Sequence, residues 1–323
     1  MKAIVYHEYG PPDVLKCEVV PKPAPKDNEV LIKVRAASVN PIDWRLMKGE
    51  PRLIRTIGTL LKMRQPGVDV AGEVEAVGPN VHQFKPGDKV FGACSGAFAE
   101  YACTSESKIA PIADNVTFEQ AASVPVAGLT ALQGLRDKGK LQRGEKVLIN
   151  GAAGGVGTFA VQIAKALGAE VTGVCSTRNV ELVKSIGADT VIDYTKEDFT
   201  DLTTRYDLIL DCVGNKSFSE CRRVLNPKGR IVMIGAPHDA KIMEALTPVV
   251  KALLMSPFMS QKAITFIAKS SQNDLKFIAD LIANGKLKPV IDRCYSLNEA
   301  ADAVRHVEEG HARGKVLIAV DGV

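Results

Sequence analysis

The sequence predicts an α/β protein with two domains, one of which contains a doubly wound parallel sheet. Three observations predict it: a glycine-rich stretch between an apolar strand and an amphipathic helix pattern, alternating strand and helix patterns beyond residue 123, and several short strands before that point. A chain of 323 residues is long enough for two domains.

The first part of the chain is rich in strands and turns. Short strand patterns occur at 1–6, 29–35, 70–78, 85–92 and 97–102, the fourth of which opens with a turn. Apolar and polar residues alternate partly at 29–35 and over a longer run at 70–78. Short strands at regular spacing are typical of a compact β-barrel-like domain. We therefore predict that residues 1–122 form such a domain.

Beyond residue 123 strand patterns alternate with helix patterns. The predicted strands lie near 146–150, 171–175, 190–193, 207–211, 230–234 and 263–268. This alternation predicts a doubly wound parallel sheet over residues 123–268. Two helical patterns, at 273–285 and 297–309, and an apolar strand at 315–320 exceed what a complete six-stranded sheet can hold. We expect residues 269–323 to return to the first domain, so that the second domain is an insertion and the active site lies in the cleft between them.

The glycine-rich stretch, residues 150–157, is the most informative motif. It follows the apolar strand 146–149 and precedes a helix whose apolar residues recur every three or four positions, up to Gly168. Glycines at such a turn let backbone amides approach a pyrophosphate, which rests on the positive end of the helix. We predict a Rossmann-type dinucleotide site in which the pyrophosphate faces Ala153, Gly154, Gly155 and Val156. The alternative is a glycine-rich turn that binds nothing.

The end of the next strand indicates which dinucleotide binds. In such units a carboxylate there accepts both ribose hydroxyls of NAD. Strand 171–175 is followed instead by Ser176 and Arg178, and a hydroxyl and a guanidinium suit a 2′-phosphate. We therefore predict NADPH as the cofactor. The alternative for Arg178 is a solvated residue at a helix start.

Composition excludes several classes of function. The net charge is +4 with both signs interspersed, so we expect no nucleic-acid partner. No stretch reaches the roughly 18 uninterrupted apolar residues of a membrane helix, the N-terminus reads as a strand, and we expect no membrane contact. The seven cysteines are dispersed without a C-x-x-C pair, which favours reduced thiols and a cytoplasmic protein.

Six segments of the chain carry a family resemblance: residues 38–44, 66–72, 84–90, 152–157, 191–194 and 310–315. Together they resemble the zinc-free medium-chain dehydrogenase/reductases, in their quinone oxidoreductase-like branch. The last segment, 310–315, is similar to the subgroup of reticulon-interacting mitochondrial oxidoreductases and plastid quinone oxidoreductase homologues. The resemblance covers essentially the whole chain.

The resemblance implies a GroES-like catalytic domain and reduction of a small hydrophobic electrophile, a quinone or an enone, by NADPH. Zinc enzymes of the same superfamily carry a Cys where this chain has Asn40, and a His-Glu pair where it has Val68 and Asp69. Only Cys94 and Cys103 fall in the region of the structural zinc lobe, which needs four cysteines. We therefore expect no metal.

Related proteins use the position of Asn40 near the nicotinamide. The resemblance thus implies that Asn40 is catalytic and cofactor-binding, as a hydrogen-bond donor to the oxygen on which negative charge develops. Asp43 is the second catalytic candidate, organising Asn40 or relaying a proton. The alternatives are turn capping by Asn40 before Pro41 and a helix N-terminal role for Asp43.

Further cofactor contacts are expected from the fold and the resemblance. Tyr194 ends the third strand of the sheet, where similar proteins place a tyrosine near the 2′-phosphate, although tyrosine is also common at strand ends. The remaining expected contacts are Thr130 near the nicotinamide, Gly214 and Gly235 at the ends of the fourth and fifth strands, and Arg313, Gly314 and Lys315 closing over the cofactor. The alternative for residues 313–315 is a basic surface turn.

Some alternatives stay open. Two apolar segments, 51–65 and 243–259, suit substrate selection, buried helices or an oligomer contact. The strand at 264–268, apolar on both faces, suits a homodimer edge. A redox-inactive NADPH-binding sensor or interaction protein, or an oxidoreductase acting on another small carbonyl or alcohol, is compatible with the same fold.

Overall fold

The computed structural model describes residues 1–50, 65–235, 250–252 and 259–320. Most of the two apolar segments, 51–65 and 243–259, therefore lies outside the described residues. Chain contacts divide the protein into a first unit, Met1–Leu129, Ser270–Gly285 and Ile291–Val323, and a second unit, Thr130–Lys269 and Lys286–Val290.

The strands, in chain order, are β1 (Lys2–Val5), β2 (Lys16–Val19), β3 (Glu29–Val39), β4 (Asp69–Val77), β5 (Lys89–Ala93), β6 (Tyr101–Ser105), β7 (Ile109–Pro111), β8 (Lys146–Asn150), β9 (Glu170–Cys175), β10 (Thr190–Asp193), β11 (Tyr206–Asp211), β12 (Leu225–Met233), β13 (Lys262–Thr265), β14 (Ile291–Ser296) and β15 (Lys315–Ala319). The α-helices are α1 (Pro41–Lys48), α2 (Phe118–Ala122), α3 (Pro125–Leu132), α4 (Gly155–Ala166), α5 (Val180–Ser185), α6 (Phe218–Cys221), α7 (Gln272–Ala283) and α8 (Ala300–Glu308).

The first unit is built on a mixed sheet in the order β14-β15-β3-β4-β5-β7, with β6 paired to β3. The last strand of the chain, β15, runs antiparallel to β3, with Val316 opposite Val39. This pairing brings Lys315 beside the end of β3, where α1 begins. A buried apolar cluster that includes Ile32, Val70 and Ile318 forms the core.

The strands of this unit differ in detail from the sequence prediction. Residues 97–100 do not extend a strand, because only Ala99 forms an isolated bridge, to Ala3, and β6 begins at Tyr101. Three strands were not predicted from the sequence: β2, β7 and β14, the last of which pairs in parallel with β15. The sequence of β14, IDRCYS, lacks the alternation that marks a half-buried strand.

The second unit contains a parallel sheet in the order β10-β9-β8-β11-β12-β13. Numbered within the unit this is 3-2-1-4-5-6, the doubly wound arrangement that the sequence predicts. Strand order reverses between β8 and β11, and ligands of such sheets bind beyond the carboxyl ends of the strands at this reversal. The edge strand β13 ends at Thr265, three residues short of the prediction, and Ile267 beyond it is 91% exposed.

The second unit has its own apolar core, which includes Leu148, Phe199 and Ile231. All seven cysteines are free thiols. Among the residues that the structure describes, no helix has the length and apolar character that crossing a membrane requires.

Candidate active site

The glycine-rich turn joins β8 to α4 in the second unit. Gly151 adopts a left-handed φ of 84°, and Gly154 is the residue that precedes the first turn of α4. Backbone N–H groups in the first turn of a helix have no acceptor within that helix, and the helix dipole adds partial positive charge. The turn therefore has the geometry of an anion site.

The glycines of this turn differ in how much space surrounds the position that a Cβ would occupy. A Cβ at Gly157 would lie 2.0 Å from the carbonyl oxygen of Gly151, so close packing of helix on turn requires glycine there. A Cβ at Gly154 would meet only that same oxygen, at 3.5 Å. Gly154 thus leaves open space in front of the helix, where a pyrophosphate can approach the backbone.

The predicted 2′-phosphate residues lie on two adjacent loops. Ser176 and Arg178 follow β9, and Tyr194 follows β10; the backbone N–H of Tyr194 donates to the carbonyl of Cys175 at 3.0 Å. Arg178 is exposed and Tyr194 is 61% exposed, so neither is part of the core. The structure therefore brings these three residues to the same edge of the sheet.

Gly214 and Gly235 lie beyond the ends of β11 and β12, around the carboxylate of Asp211. The N–H of Gly214 donates to Asp211 Oδ1 at 2.9 Å, and that of Gly235 donates to the Asp211 carbonyl at 3.0 Å. Asn150, at the end of β8, donates to the same carboxylate at 2.8 Å. These bonds hold the loops at the strand reversal, and Asp211 and Asn150 are positioning residues that the sequence analysis missed.

The residues of the second unit fit NADPH. The turn at Gly154 offers room at the amino end of α4, and the loop after β9 offers a hydroxyl and a guanidinium. The buried Asn179 donates to Ser176 Oγ at 3.1 Å, whereas its side-chain oxygen has no hydrogen-bond partner, which suits a ribose hydroxyl donor. Thr130 lies on α3, and its contact with the nicotinamide stays a prediction.

In the first unit, Asn40 precedes α1 and is 2% exposed. Its side-chain oxygen accepts a hydrogen bond from Lys315 Nζ at 2.6 Å. Because an ammonium is only a donor, this contact determines which end of the amide is oxygen. The amide nitrogen then donates to Asp69 Oδ2 at 2.9 Å and to the carbonyl of Ser38 at 3.3 Å. Both amide hydrogens of Asn40 are therefore used within the protein.

Asp69, the first residue of β4, is the centre of this buried cluster. Its Oδ2 also accepts from Ser38 Oγ at 2.6 Å, and its Oδ1 accepts from the backbone N–H of Val126 at 2.9 Å. Lys315 Nζ lies 3.5 Å from Asp69 Oδ2, and both side chains are buried. In the sequence, Asp69 was noted only as a departure from a zinc motif. The signal available there was an acid between two apolar residues, Val68 and Val70.

Asp43 stabilises the start of α1. Its Oδ2 accepts from the backbone N–H of Asn40 at 2.8 Å, and its Oδ1 accepts from that of Gly67 at 3.1 Å. Burial raises the pKa of Asp43 to about 7, and the nearby charge of Asp69 adds to this effect. Two of the roles predicted for Asp43 therefore depend on one hydrogen bond. By accepting from the backbone N–H of Asn40, Asp43 both caps the N-terminus of α1 and organises Asn40.

Lys315 is the cation of this cluster. It is 3% exposed, and burial lowers its pKa while the carboxylates of Asp69 and Asp43 oppose that effect. Its ammonium is committed to Asn40 and Asp69, so it does not form the basic surface turn weighed in the sequence analysis. Gly314 has a left-handed φ of 84°, and Arg313 is exposed. Their contact with a cofactor stays a prediction.

The described residues contain no group of three or more His, Cys, Asp or Glu side chains that could hold a metal ion. Cys94 is the thiol near the cluster, and burial, with the charges of Asp69 and Asp43, raises its pKa. A protonated thiol is a poor metal ligand, because metals bind the thiolate.

Comparisons with known proteins agree with this architecture. The family "Alcohol dehydrogenase GroES-like domain" matches residues 26–114, and "Zinc-binding dehydrogenase" matches residues 186–318. Together with the doubly wound sheet, these matches define a dinucleotide-dependent oxidoreductase fold. The chain belongs to the medium-chain dehydrogenase/reductase superfamily, in its quinone oxidoreductase-like branch.

Full-length relatives support that assignment. The chain is 37% identical to the chloroplast envelope quinone oxidoreductase homolog of Arabidopsis thaliana, over 98% of both chains. It is 35% identical to the NADPH-dependent alkenal/one oxidoreductase of the same plant, over 98% of this chain and 79% of the relative. The solved quinone oxidoreductase of Coxiella burnetii superimposes with a TM-score of 0.88 at 34% identity and 99% coverage of both chains.

Proposed function

We propose that this protein is a zinc-independent oxidoreductase that transfers hydride from NADPH to a quinone or an α,β-unsaturated carbonyl. The observation that carries the proposal is the pair Asn40 and Val68, which stands where zinc-dependent members of the superfamily have metal ligands. The chain is similar over 98% of its length to a quinone oxidoreductase homolog. An amide and an apolar side chain cannot replace a thiolate and an imidazole at a zinc site.

NADPH, when bound, supplies the hydride. The chain would hold its pyrophosphate at residues 153–156 and its 2′-phosphate at Ser176, Arg178 and Tyr194. Arrival of hydride on the substrate carbon leaves negative charge on the substrate oxygen, which a hydrogen-bond donor must stabilise. Asn40 can offer an N–H there by exchanging its longer bond, the 3.3 Å contact with the carbonyl of Ser38.

The substrate must also gain a proton. With a pKa of about 7, Asp43 holds a proton on part of the molecules at neutral pH, and its contact with the backbone of Asn40 places it in the same cluster. Asp43 can therefore relay a proton, with water completing the transfer.

A second candidate function follows from the burial of Asn40. Its side chain is 2% exposed and both of its amide hydrogens are used internally, as expected of a structural residue. A redox-inactive NADPH-binding sensor or interaction protein would keep the second-unit site and lack turnover. An oxidoreductase acting on another small carbonyl or alcohol would turn over, with a different acceptor range.

Oxidation of NADPH, followed by absorbance against a panel of quinones, enones, alkenals and simple ketones, tests the proposal, with NADH in parallel. Loss of NADPH that depends on a quinone or enone, and is faster than loss of NADH, is the expected result. Tight NADPH binding without turnover would favour the binding protein. Turnover with simple ketones only would favour an oxidoreductase that acts on another small carbonyl or alcohol.

Oligomeric state and location belong to the same proposal. Among the strands that the structure describes, β13 lies at one edge of the parallel sheet, and an edge position supports homodimerisation by strand pairing. Sedimentation equilibrium of the full chain tests this, and a monomer at micromolar concentration would contradict it. The dispersed free cysteines favour a cytoplasmic location, which fractionation of the source cells would test.

A further inference from the structure

Asp193, the last residue of β10, accepts hydrogen bonds on both oxygens of its carboxylate. Its Oδ1 accepts from the backbone N–H of Thr195 at 3.1 Å and from Thr195 Oγ1 at 2.7 Å. Its Oδ2 accepts from Thr177 Oγ1 at 2.6 Å, and Lys196 Nζ lies 3.4 Å from that oxygen. The side chain of Asp193 is only 9% exposed.

The Thr177 contact crosses from one loop to the next. Thr177 lies between Ser176 and Arg178 after β9, whereas Asp193 precedes Tyr194 after β10, and Asp193 is in register with Cys175. The hydroxyls of Thr177 and Thr195 also lie 2.8 Å apart. Asp193 therefore ties together the two loops that carry the three predicted 2′-phosphate residues.

A second aspartate of the same unit, Asp198, forms a similar turn but has no contact with the loop after β9 among the hydrogen bonds described. Asp198 forms the same local turn, accepting from the N–H of Thr200 at 2.9 Å and from Thr200 Oγ1 at 2.8 Å. It pairs with Lys216, which lies on neither 2′-phosphate loop. Only the Asp193 turn reaches the loop after β9.

The charge of Asp193 raises an apparent conflict with a phosphate ligand. Hydrogen bonding by Thr177 and Thr195 lowers the pKa of Asp193 to about 2, so the carboxylate is ionised at neutral pH. Its lone pairs are however occupied by hydroxyl, amide and ammonium donors, so the charge is compensated within the loops.

We propose that Asp193 is a positioning residue for recognition of the 2′-phosphate of NADPH, acting through Thr177 on the loop that carries Ser176 and Arg178. The inference rests on the proposed function, because it assumes that this edge of the sheet holds NADPH. Loops held in place before binding lose less conformational freedom when the ligand arrives, and affinity rises accordingly. The effect is confined to ligands that carry the phosphate, since Asp193 has no role in contacts to the pyrophosphate.

The test measures binding of four ligands to the full chain by calorimetry: NADPH, NADH, 2′,5′-ADP and 5′-AMP. Thr177→Val removes the cross-loop bond without a change in charge, and Asp193→Asn removes the charge. Each is expected to weaken NADPH and 2′,5′-ADP up to about tenfold, because the loop must then be ordered when the ligand binds, at about the cost of immobilising one side chain. NADH and 5′-AMP should change less than about twofold by the same reasoning.

Two further variants provide the controls. Thr177→Ser keeps the hydroxyl and should restore wild-type binding, whereas Asp198→Asn, in the matched turn, should leave all four ligands unchanged. Equal weakening of NADPH and NADH would overturn the proposal, because the role would then be general folding of the sheet edge. Tighter NADPH binding by Asp193→Asn would also overturn it, since the carboxylate would then act by repulsion.

The wild-type protein separates this inference from the proposed function. Wild-type protein that does not prefer NADPH over NADH would contradict the proposed cofactor. A wild-type preference for NADPH that survives Thr177→Val and Asp193→Asn would contradict the role of Asp193 and leave the proposed function standing.

Discussion

The Lys315 ammonium donates to the side-chain oxygen of Asn40 at 2.6 Å, although 275 residues separate the two in the chain. The contact depends on the pairing of β15 with β3, which brings the last strand beside the start of α1. Lys315 also faces the carboxylate of Asp69, and both side chains are buried. The cluster thus contains a cation at the position from which it can neutralise Asp69 and orient the amide of Asn40.

Removal of one charge from this cluster should be costly. Lys315→Met and Asp69→Asn are each expected to lower the free energy of unfolding by about 3–5 kcal/mol, because each leaves an uncompensated buried group. The double variant should lose less than the sum of the two, by at least about 1 kcal/mol. Urea unfolding followed by circular dichroism measures all four proteins.

The exposed pair Lys165 and Asp189 is the matched control for this cycle. Its atoms lie 2.7 Å apart with side chains 37% and 40% exposed, so its coupling should stay below about 1 kcal/mol. Additive losses at Lys315 and Asp69 would show that the two side chains do not depend on one another.

Asp43 should make stability depend on pH. Its pKa is raised to about 7 in the folded protein, so between pH 4 and pH 7 the folded state binds a proton that the unfolded state releases. The free energy of unfolding contributed by this group is therefore highest below pH 4 and falls as pH rises through 7. Relative to Asp43→Asn, the wild type should lose on the order of 4 kcal/mol across that window, about 1.4 kcal/mol for each of its three pH units.

Urea unfolding at pH 5, 6, 7 and 8 measures this difference. Asp198→Asn is the control, because hydrogen bonds from Lys216 and Thr200 lower the pKa of Asp198 to about 2 despite its burial. The difference between wild type and Asp198→Asn should be flat above pH 5. If the difference between wild type and Asp43→Asn were also flat, Asp43 would be ionised in the folded protein from pH 5 to pH 8.

Asn40→Ala should lower kcat with a quinone or enone about 100-fold, since loss of one donor to a developing oxyanion has this effect in other enzymes. Steady-state assays at saturating NADPH measure it, with circular dichroism to confirm folding. Asn115→Ala is the control, because Asn115 is an amide of the same unit that donates only to the carbonyl of Ala283. Unchanged kcat with several acceptors would assign Asn40 a structural role.

Arg178→Ala should weaken NADPH about tenfold and NADH less than about twofold, because only NADPH carries the phosphate that a guanidinium binds. Binding is measured by calorimetry. Lys184→Ala removes another exposed cation, six residues further along the chain, and should leave the preference unchanged. Equal effects of Arg178→Ala on both cofactors would contradict a contact with the phosphate.

Two alanine substitutions in the glycine-rich turn should have opposite signatures. Gly157→Ala places a Cβ 2.0 Å from the carbonyl of Gly151 and should destabilise the fold by more than about 2 kcal/mol. Gly154→Ala meets nothing closer than 3.5 Å and should leave stability unchanged while weakening NADPH binding. Thermal unfolding and calorimetry separate the two effects. Wild-type affinity in Gly154→Ala would show that no ligand occupies that space.

The dinucleotide-binding unit could be predicted from the sequence because the patterns that indicate it lie within short segments of the chain. Strand β8, the glycines at 151–157 and helix α4 form one continuous segment, and their periodicities change where the structure changes. Strand β14 could not be predicted in this way. Its polar sequence becomes a strand because β15 lies beside it, and such a pairing leaves no periodic pattern in the strand itself.

The sequence by itself determined the α/β class, the doubly wound sheet, the glycine-rich turn and the residue types on its 2′-phosphate loops, because each depends on neighbours within a few positions. It also singled out Asn40 and Asp43, through their place in a motif. Tertiary structure alone decided that Lys315 is buried against Asn40 and Asp69, and that Asp193 reaches Thr177. Those contacts depend on which strands lie side by side. Strand pairing also buries the side chains, and in a buried environment an unpaired charge or an unsatisfied hydrogen-bonding group destabilises the fold strongly.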